Sequence, residues 1–483
     1  MNMRLRGATF ALIGIAIAGH RATGQTVAGN PRVQSALQVA RTWLDAEQGY
    51  HRIPGLSAAI VADQELVWSG GFGYADLARR DPATPATIYS ICSISKLFTS
   101  LAVLQLRDQG KLRLDDPVAK HLSWFNIKRT FPESPEITIE GLLTHASGLP
   151  RESAHGYWSA DWVFPTRDEI ISKLGSQETL YPAEKYWQYS NLGLTLAGEI
   201  VAAASGKPYA DYVKANLLSP LGLTSTTPEI PADERGRRLA VGYGPWKREG
   251  ERTALPVFQV RGIAPAAGYA STALDLSKFA MWQFRLLKNG GTEILSANTL
   301  REMRRVHFVD PDFNVMWGLG FAVERNDNKT FVGHGGSCPG YQTDLLMRDE
   351  DRIGVVVMTN AIDAVPAEMA QRVYQLVAPA IIAARTDSTP KPFDPSLTAY
   401  LGSYDNPWGG ETAVVPWEGG LALLYLPTPN PLRALTKLRK VGEHTFRRVR
   451  SDETLGEAFV FEMGPDGKPA KLVVNNNASP RLR

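Results

Sequence analysis

Apolar and polar positions along this chain fall into blocks of two different periods. A helix-period block over Val33–Gln48 predicts an opening amphipathic helix. The stretch Leu56-Ser-Ala-Ala-Ile-Val-Ala-Asp-Gln-Glu-Leu-Val-Trp-Ser-Gly sets two apolar runs around a polar Asp63-Gln64-Glu65 turn, the pattern of an antiparallel hairpin. From Ser93 to Asp108 the residues Ile94, Leu97, Phe98, Leu101, Leu104 and Leu106 return to helical spacing, with Gly110 as a stop, so Ser93 stands at a helix start. Helical patches and Pro/Gly turns fill the middle, where Leu192–Ser205 is the clearest helix. Thr330–Gly336, Thr343–Arg348 and Ile353–Thr359 predict successive strands, and Pro366–Ala384 predicts a closing helix.

Strands at both ends of a helical middle predict an α+β architecture, an antiparallel sheet flanked by helices with a helical subdomain. Asp387-Ser-Thr-Pro-Lys-Pro-Phe-Asp-Pro is a linker by composition. The short strand patterns Gly420–Tyr425, His444–Val449 and Ala458–Glu462 beyond it predict a small all-β module. The expected division is a main domain over 30–386, a linker over 387–396 and a β module over 397–483. No repeat or low-complexity tract interrupts this order.

Length and composition agree with that division: 483 residues, 44% apolar and 21% charged, suit a globular chain of two or three domains. The N-terminus changes the picture. Arg4 and Arg6 precede an apolar run from Ala8 to Ala18 and a small-x-small site at Ala22-Thr23-Gly24, the layout of an export signal over residues 1–24. That run is well short of the roughly 20 residues a bilayer requires, and no later segment is long enough either. The expectation is a periplasmic or secreted protein without a stable membrane span. Removing the signal takes Arg4, Arg6 and Arg21 and no acid, so the formal charge falls from +3 to about zero, which gives nucleic acid no basis as a partner.

Ser93-Ile-Ser-Lys96 puts a hydroxyl and an amine three residues apart, on one helical face. A serine hydroxyl is a weak nucleophile until a neighbour takes its proton, and lysine can do so only where burial lowers its pKa. The motif alone is weak, because Ser388-Thr-Pro-Lys391 repeats it inside the linker, just as Tyr404-Asp-Asn406 repeats Tyr189-Ser-Asn191. Order decides. Only one combination has S-x-x-K at a helix start, Y-x-N roughly 95 residues later before another helix, and then His334-Gly335-Gly336, the only H-x-G in the chain.

In that order these three elements resemble the signature boxes of the serine β-lactamases and penicillin-binding peptidases, most of all the class C branch with its esterase and D-aminopeptidase relatives. Leu142-Leu-Thr-His-Ala-Ser-Gly-Leu and Ala267-Gly-Tyr-Ala-Ser-Thr-Ala-Leu-Asp-Leu look like phrases of the same family, and the resemblance covers roughly residues 33 to 385. It implies a β-lactamase/transpeptidase-like fold, acylation of Ser93, acid/base work shared by Lys96 and Tyr189, and a substrate amide held by Asn191. It also implies an oxyanion hole from the backbone N–H groups of Ser93 and Ser337, beside the strand of His334, Gly335 and Gly336. Which of Lys96 and Tyr189 is the acylation base stays open. The β module resembles the small barrel-like domains appended to many such hydrolases.

One departure matters. Typical β-lactamases and carboxypeptidases carry lysine where this chain has His334, which is mostly neutral at pH 7 and offers a substrate carboxylate little charge. This favours a broader ester or amide hydrolase over a true β-lactamase or D-alanyl-D-alanine carboxypeptidase. A third alternative is a catalytically silent cell-wall-binding or filament-forming relative. No G-x-S-x-G elbow supports a Ser-His-Asp triad, and His145 reads as a structural residue. H-E-x-x-H, C-x-x-C and G-K-[ST] patterns are absent, so no metal or other cofactor is implied.

The resemblance extends to the only two cysteines, which flank the first and third boxes as a pair does in class A carbapenem-hydrolysing β-lactamases. A Cys92–Cys338 disulfide is therefore expected, with two buried free thiols as the alternative. Finally, Tyr157, Trp158, Trp162, Phe164, Tyr181, Tyr186 and Trp187 crowd the stretch before Tyr189, as pocket walls for apolar acyl groups or as ordinary core.

Overall fold

A computed structural model describes residues 26–159, 161–386 and 391–483. The expected export signal at 1–24 and the linker start at 387–390 lie outside the described residues. The chain opens with helix α1 (Pro31–Tyr50), whose first turn is capped by the Asn30 side chain accepting from Arg32 N. The predicted hairpin follows as β1 (Gly55–Ala62) and β2 (Glu65–Asp76), with the short β3 (Asp81–Pro82) at its edge. The middle contains α2 (Ser95–Asp108), α3 (Asn191–Ser205) and α4 (Ala273–Asn289). The sheet then resumes with β4 (Phe308–Val309), β5 (Met316–Trp317), β6 (Ala322–Asn326), β7 (Lys329–Cys338), β8 (Tyr341–Arg348) and β9 (Ile353–Thr359), and α5 (Pro366–Ala384) closes the domain.

These strands form one nine-stranded antiparallel sheet in the order β3-β2-β1-β9-β8-β7-β6-β5-β4. The join between the two ends of the domain is the β1–β9 ladder, running from Leu56 opposite Thr359 to Ala62 opposite Ile353. Both faces of the sheet are covered, so β1 and β9 are apolar along nearly their whole length rather than alternating. Val355 and Val357 pack with α1 and α5, while Val356 and Met358 face the helical region built on α2, α3 and α4. The catalytic-type motifs all lie on that second side.

From Gly402 to Pro480 eight strands follow one another as an antiparallel meander. Its ends meet where Ser403 N donates to Arg483 O at 2.9 Å and Leu482 N donates to Ser403 O at 2.8 Å, which closes the sheet into a barrel-like module. Strand alternation serves two cores: Val414, Leu421 and Leu423 point into the module, whereas Ala413, Val415, Ala422 and Leu424 pack on α1 and α5. The segment Pro395–Tyr400 is a short 3₁₀ helix that contributes Leu397 and Tyr400 to the module core. The second Y-x-N match is structural: Tyr404 is fully buried there and donates to Tyr400 O at 3.1 Å.

Candidate active site

Ser93 sits in the 3₁₀ turn Cys92–Ile94 that leads into α2, and Cys92 before it takes a left-handed φ of 48°. Lys96, one turn further, is 0% exposed. Its Nζ lies 3.1 Å from Ser93 Oγ, 2.8 Å from Asn191 Oδ1 and 2.8 Å from the Ala266 carbonyl oxygen. Burial pushes the Lys96 amine well below its ordinary pKa; Glu152 opposes this and Arg151 adds to it.

Asn191 is fixed because α3 begins at it: Ser190 caps the helix by accepting from Gly193 N at 2.9 Å, and Arg151 O accepts from Asn191 N at 2.8 Å. The Asn191 amide then spans the site. Its Oδ1 accepts from Lys96 and its Nδ2 donates to Glu152 Oε1 at 2.7 Å. Glu152 also accepts from the buried Tyr157 hydroxyl and pairs with Arg151 Nε at 3.2 Å.

Tyr189 lies between the Lys96 amine and the Arg151 guanidinium, with Lys96 Nζ 4.8 Å and Arg151 Cζ 4.8 Å from its ring centroid. Burial raises its phenol above the ordinary value, while the hydrogen bond with Ser93 and the Arg151 charge pull it down. Around it stands an aromatic cage: His145 at 4.3 Å, Trp187 at 5.8 Å, Trp317 at 6.1 Å and His334 at 6.2 Å between centroids. His145 is held as a neutral acceptor, taking Ser190 N on Nδ1 at 3.1 Å. Burial drives it well below the usual histidine pKa, with Lys96, His334 and Arg151 acting in the same direction. His334 is likewise lowered, to about 3, by burial first and Lys96 second.

Strand β7 crosses directly over the turn that carries Ser93. A Cβ on Gly336 would stand 2.2 Å from the Ile91 carbonyl oxygen, so only glycine permits the approach. The Cys92–Cys338 disulfide, with Cα atoms 5.8 Å apart, ties the turn and the strand together. Ser93, Asn191 and Ser337 share a cavity of about 390 Å³ with Arg151, Trp158 and Trp162. An amine whose pKa is lowered by burial, beside a nucleophile-type hydroxyl in a cleft bordered by strand and helix-start backbone, can take up a serine proton as that serine attacks a carbonyl.

The Beta-lactamase family profile matches residues 40–378. This chain belongs to the beta-lactamase family. It is 30% identical over 333 residues to Beta-lactamase-like protein 2 of Dictyostelium discoideum, a match covering 68% of this chain and 60% of that one. It is 26% identical over 324 residues to Protein flp of Staphylococcus aureus strain N315, covering 65% and 61%. The chain thus spans about 60% of the length of these curated relatives. Among solved structures it resembles the octameric penicillin-binding protein homologue from Pyrococcus abyssi, with a TM-score of 0.62, 26% identity, and 92% and 99% of the two chains covered. It shares its fold with the beta-lactamase/D-alanine carboxypeptidase from Yersinia pestis, with a TM-score of 0.60, 23% identity, and 72% and 99% covered. The same holds for a D-stereospecific amidohydrolase from Streptomyces sp., with a TM-score of 0.56, 22% identity, and 73% and 98% covered.

In this beta-lactamase-family protein Ser93, Lys96, Tyr189 and Asn191 converge, His334 closes one side of the Tyr189 cage, and Ser337 borders the cavity. Gly335 does not join them, because its open side faces Asp344 on the other face of the sheet. The aromatic stretch divides: Trp158 and Trp162 line the cavity, Trp187 joins the cage, Tyr157 and Phe164 are core, and Tyr181 meets Tyr186 edge-on at the surface. Sequence reasoning missed Arg151, Glu152, Trp317 and the Ala266 carbonyl. The first two follow the Leu142–Leu149 phrase after Pro150, and that proximity is the one available signal.

Proposed function

We propose that this protein is a serine hydrolase that cleaves ester or amide bonds through an acyl-enzyme on Ser93. The observation that carries the reading is the environment of Lys96. Burial lowers its pKa, and in its neutral form the amine has two hydrogens, which Asn191 Oδ1 and Ala266 O accept at 2.8 Å each. Its lone pair is left facing the Ser93 hydroxyl at 3.1 Å. Ser93 Oγ attacks the carbonyl carbon as its proton passes to Lys96 Nζ, which makes Lys96 the acylation base. The backbone N–H groups of Ser93 and Ser337 take the developing oxyanion. Tyr189, kept protonated by burial, gives its proton to the departing oxygen or nitrogen and recovers one from Lys96. Water then attacks the acyl carbon by the same route, releasing the acid and restoring Ser93.

His334 is neutral over the working pH range, which favours substrates without a carboxylate at that strand. A second reading has support of its own. Arg151, with its side chain 58% exposed at the cavity wall, supplies a fixed cation that His334 does not, so a β-lactam or a D-alanyl peptide carboxylate would find a partner there. A location outside the cytoplasm is part of this proposal, supported by the export-type N-terminus and the disulfide.

Intact-mass analysis after exposure to a fluorophosphonate, penicillin, p-nitrophenyl butyrate and a D-Ala-D-Ala peptide tests both readings. The expected result is one covalent adduct on the native protein, absent in Ser93→Ala, with ester turnover exceeding penicillin turnover. Penicillin or peptide turnover exceeding ester turnover selects the second reading. No adduct with any of the four rejects the hydrolase assignment in favour of a silent scaffold.

A further inference from the structure

The face of the sheet opposite the Ser93 cleft holds a second cavity, of about 370 Å³, between β6–β8 and α5. Its floor is open because β7 presents Gly333 and Gly335 there, immediately either side of His334, whose ring turns to the cleft instead. Asp344 stands opposite Gly335 in the β7–β8 ladder. A Cβ built on Gly335 would come within 3.6 Å of Asp344 Oδ1, which locates the carboxyl over that floor.

Asp344 is 7% exposed, and its carboxyl has no hydrogen bond or ion pair with any described residue. An isolated buried carboxylate is costly and survives by taking up a proton or a cation. Two further acids, Glu324 and Glu368, stand at the mouth. The one cation on the wall is committed elsewhere, since Arg372 Nε donates to Pro429 O at 3.0 Å and its Nη1 donates to Gln375 Oε1 at 3.0 Å. Phe331 and Leu346 supply buried apolar wall. No group of three acidic, histidine or cysteine side chains among the described residues is arranged to hold a metal ion.

We propose that this cavity binds a small organic ammonium ion, its charge on the Asp344 carboxylate, its apolar part against Phe331 and Leu346, and Glu324 and Glu368 at the entrance. The site is separate from the cleft and does not rest on the hydrolase reading. The groups facing Asp344 are Glu324 from β6 and Glu368 and Arg372 from α5, with His334 behind β7 on the other face. Burial and Glu324 both raise the Asp344 carboxyl. Seating a cation there expels its proton, so affinity rises with pH, by up to tenfold per unit while the acid is still protonated.

The test is isothermal titration of the full-length, disulfide-bonded protein with benzylammonium, at constant ionic strength and at pH 6 and pH 8. Benzyl alcohol serves as the neutral isostere. Saturable binding that is tighter at pH 8, weakened at least tenfold in Asp344→Asn and severalfold in the exposed-rim variant Glu324→Gln, supports the site. Unchanged affinity in a folded Asp344→Asn overturns it. So does equal binding of benzyl alcohol, and so does the absence of saturable binding to the native protein. Should Asp344→Asn fail to fold, an unchanged affinity in Glu324→Gln overturns the proposal.

Discussion

Replacing His334 with glutamine isolates the electrostatics of the third box. The ring is 6% exposed and its pKa is lowered to about 3, whereas an unfolded chain presents a histidine near 6.5. The folded pKa is the lower one, so between these values the unfolded state binds the extra proton and stability falls as pH falls. Well above pH 6.5 neither state is charged and the residue contributes nothing to the pH dependence. From these two values the loss is about 2 kcal/mol at pH 5 and about 3 kcal/mol at pH 4, relative to pH 7. Glutamine fills a similar volume and does not titrate. Urea unfolding followed by tryptophan fluorescence, for both proteins at pH 7 and pH 5, gives a double difference in which the common carboxylates cancel. The native protein should lose about 2 kcal/mol more than His334→Gln. Equal losses, within about 0.5 kcal/mol, would mean that His334 titrates normally. It would then carry appreciable charge near pH 6, and the argument against a carboxylate partner at that strand would fail.

Three further outcomes follow from the site. Ester turnover should rise with pH through the depressed pKa of Lys96, since the base must be unprotonated, and Lys96→Arg should lower the rate on the order of 10³-fold and erase that limb; a retained limb assigns it to another group. Reducing the Cys92–Cys338 bond, or Cys92→Ser with Cys338→Ser, should cost about 5 kcal/mol in the loop-entropy account for a separation of 246 residues, read as a fall in the urea midpoint; an unchanged midpoint refutes a stabilising bond. Gly336→Ala places a methyl 2.2 Å from the Ile91 carbonyl oxygen, so β7 must shift off the Ser93 turn, and kcat/KM should fall at least tenfold while the barrel module keeps its strand content by circular dichroism.

The hairpin, α2, α3, the three central strands and α5 were legible because each has a single clear period over many residues, and local spacing suffices where burial is one-sided or complete. The short edge strands β4 and β5 were not, since two residues carry no period; they exist because Trp317 and its neighbours add to an edge already formed by β6. Among the site residues, those in motifs were readable. Glu152 was not, because an isolated acid after a proline-containing turn looks like any surface carboxylate until Asn191 and Tyr157 are found donating to it. The stretch Tyr157–Trp187 divided among wall, cage, core and surface in a way that composition could not specify.

What the sequence determined by itself was chemical identity and order: a hydroxyl and an amine one helical turn apart, a phenol and an amide at a second helix start, and a glycine-flanked strand. Those are local facts, set by spacing along the backbone. Only the tertiary structure decided that Lys96 loses its water and has its pKa lowered, that Tyr189 sits between that amine and the Arg151 guanidinium, that His334 is uncharged and that Asp344 is buried alone. Ionisation depends on solvation and on charges contributed by distant segments, and neither exists until the sheet and helices close around them.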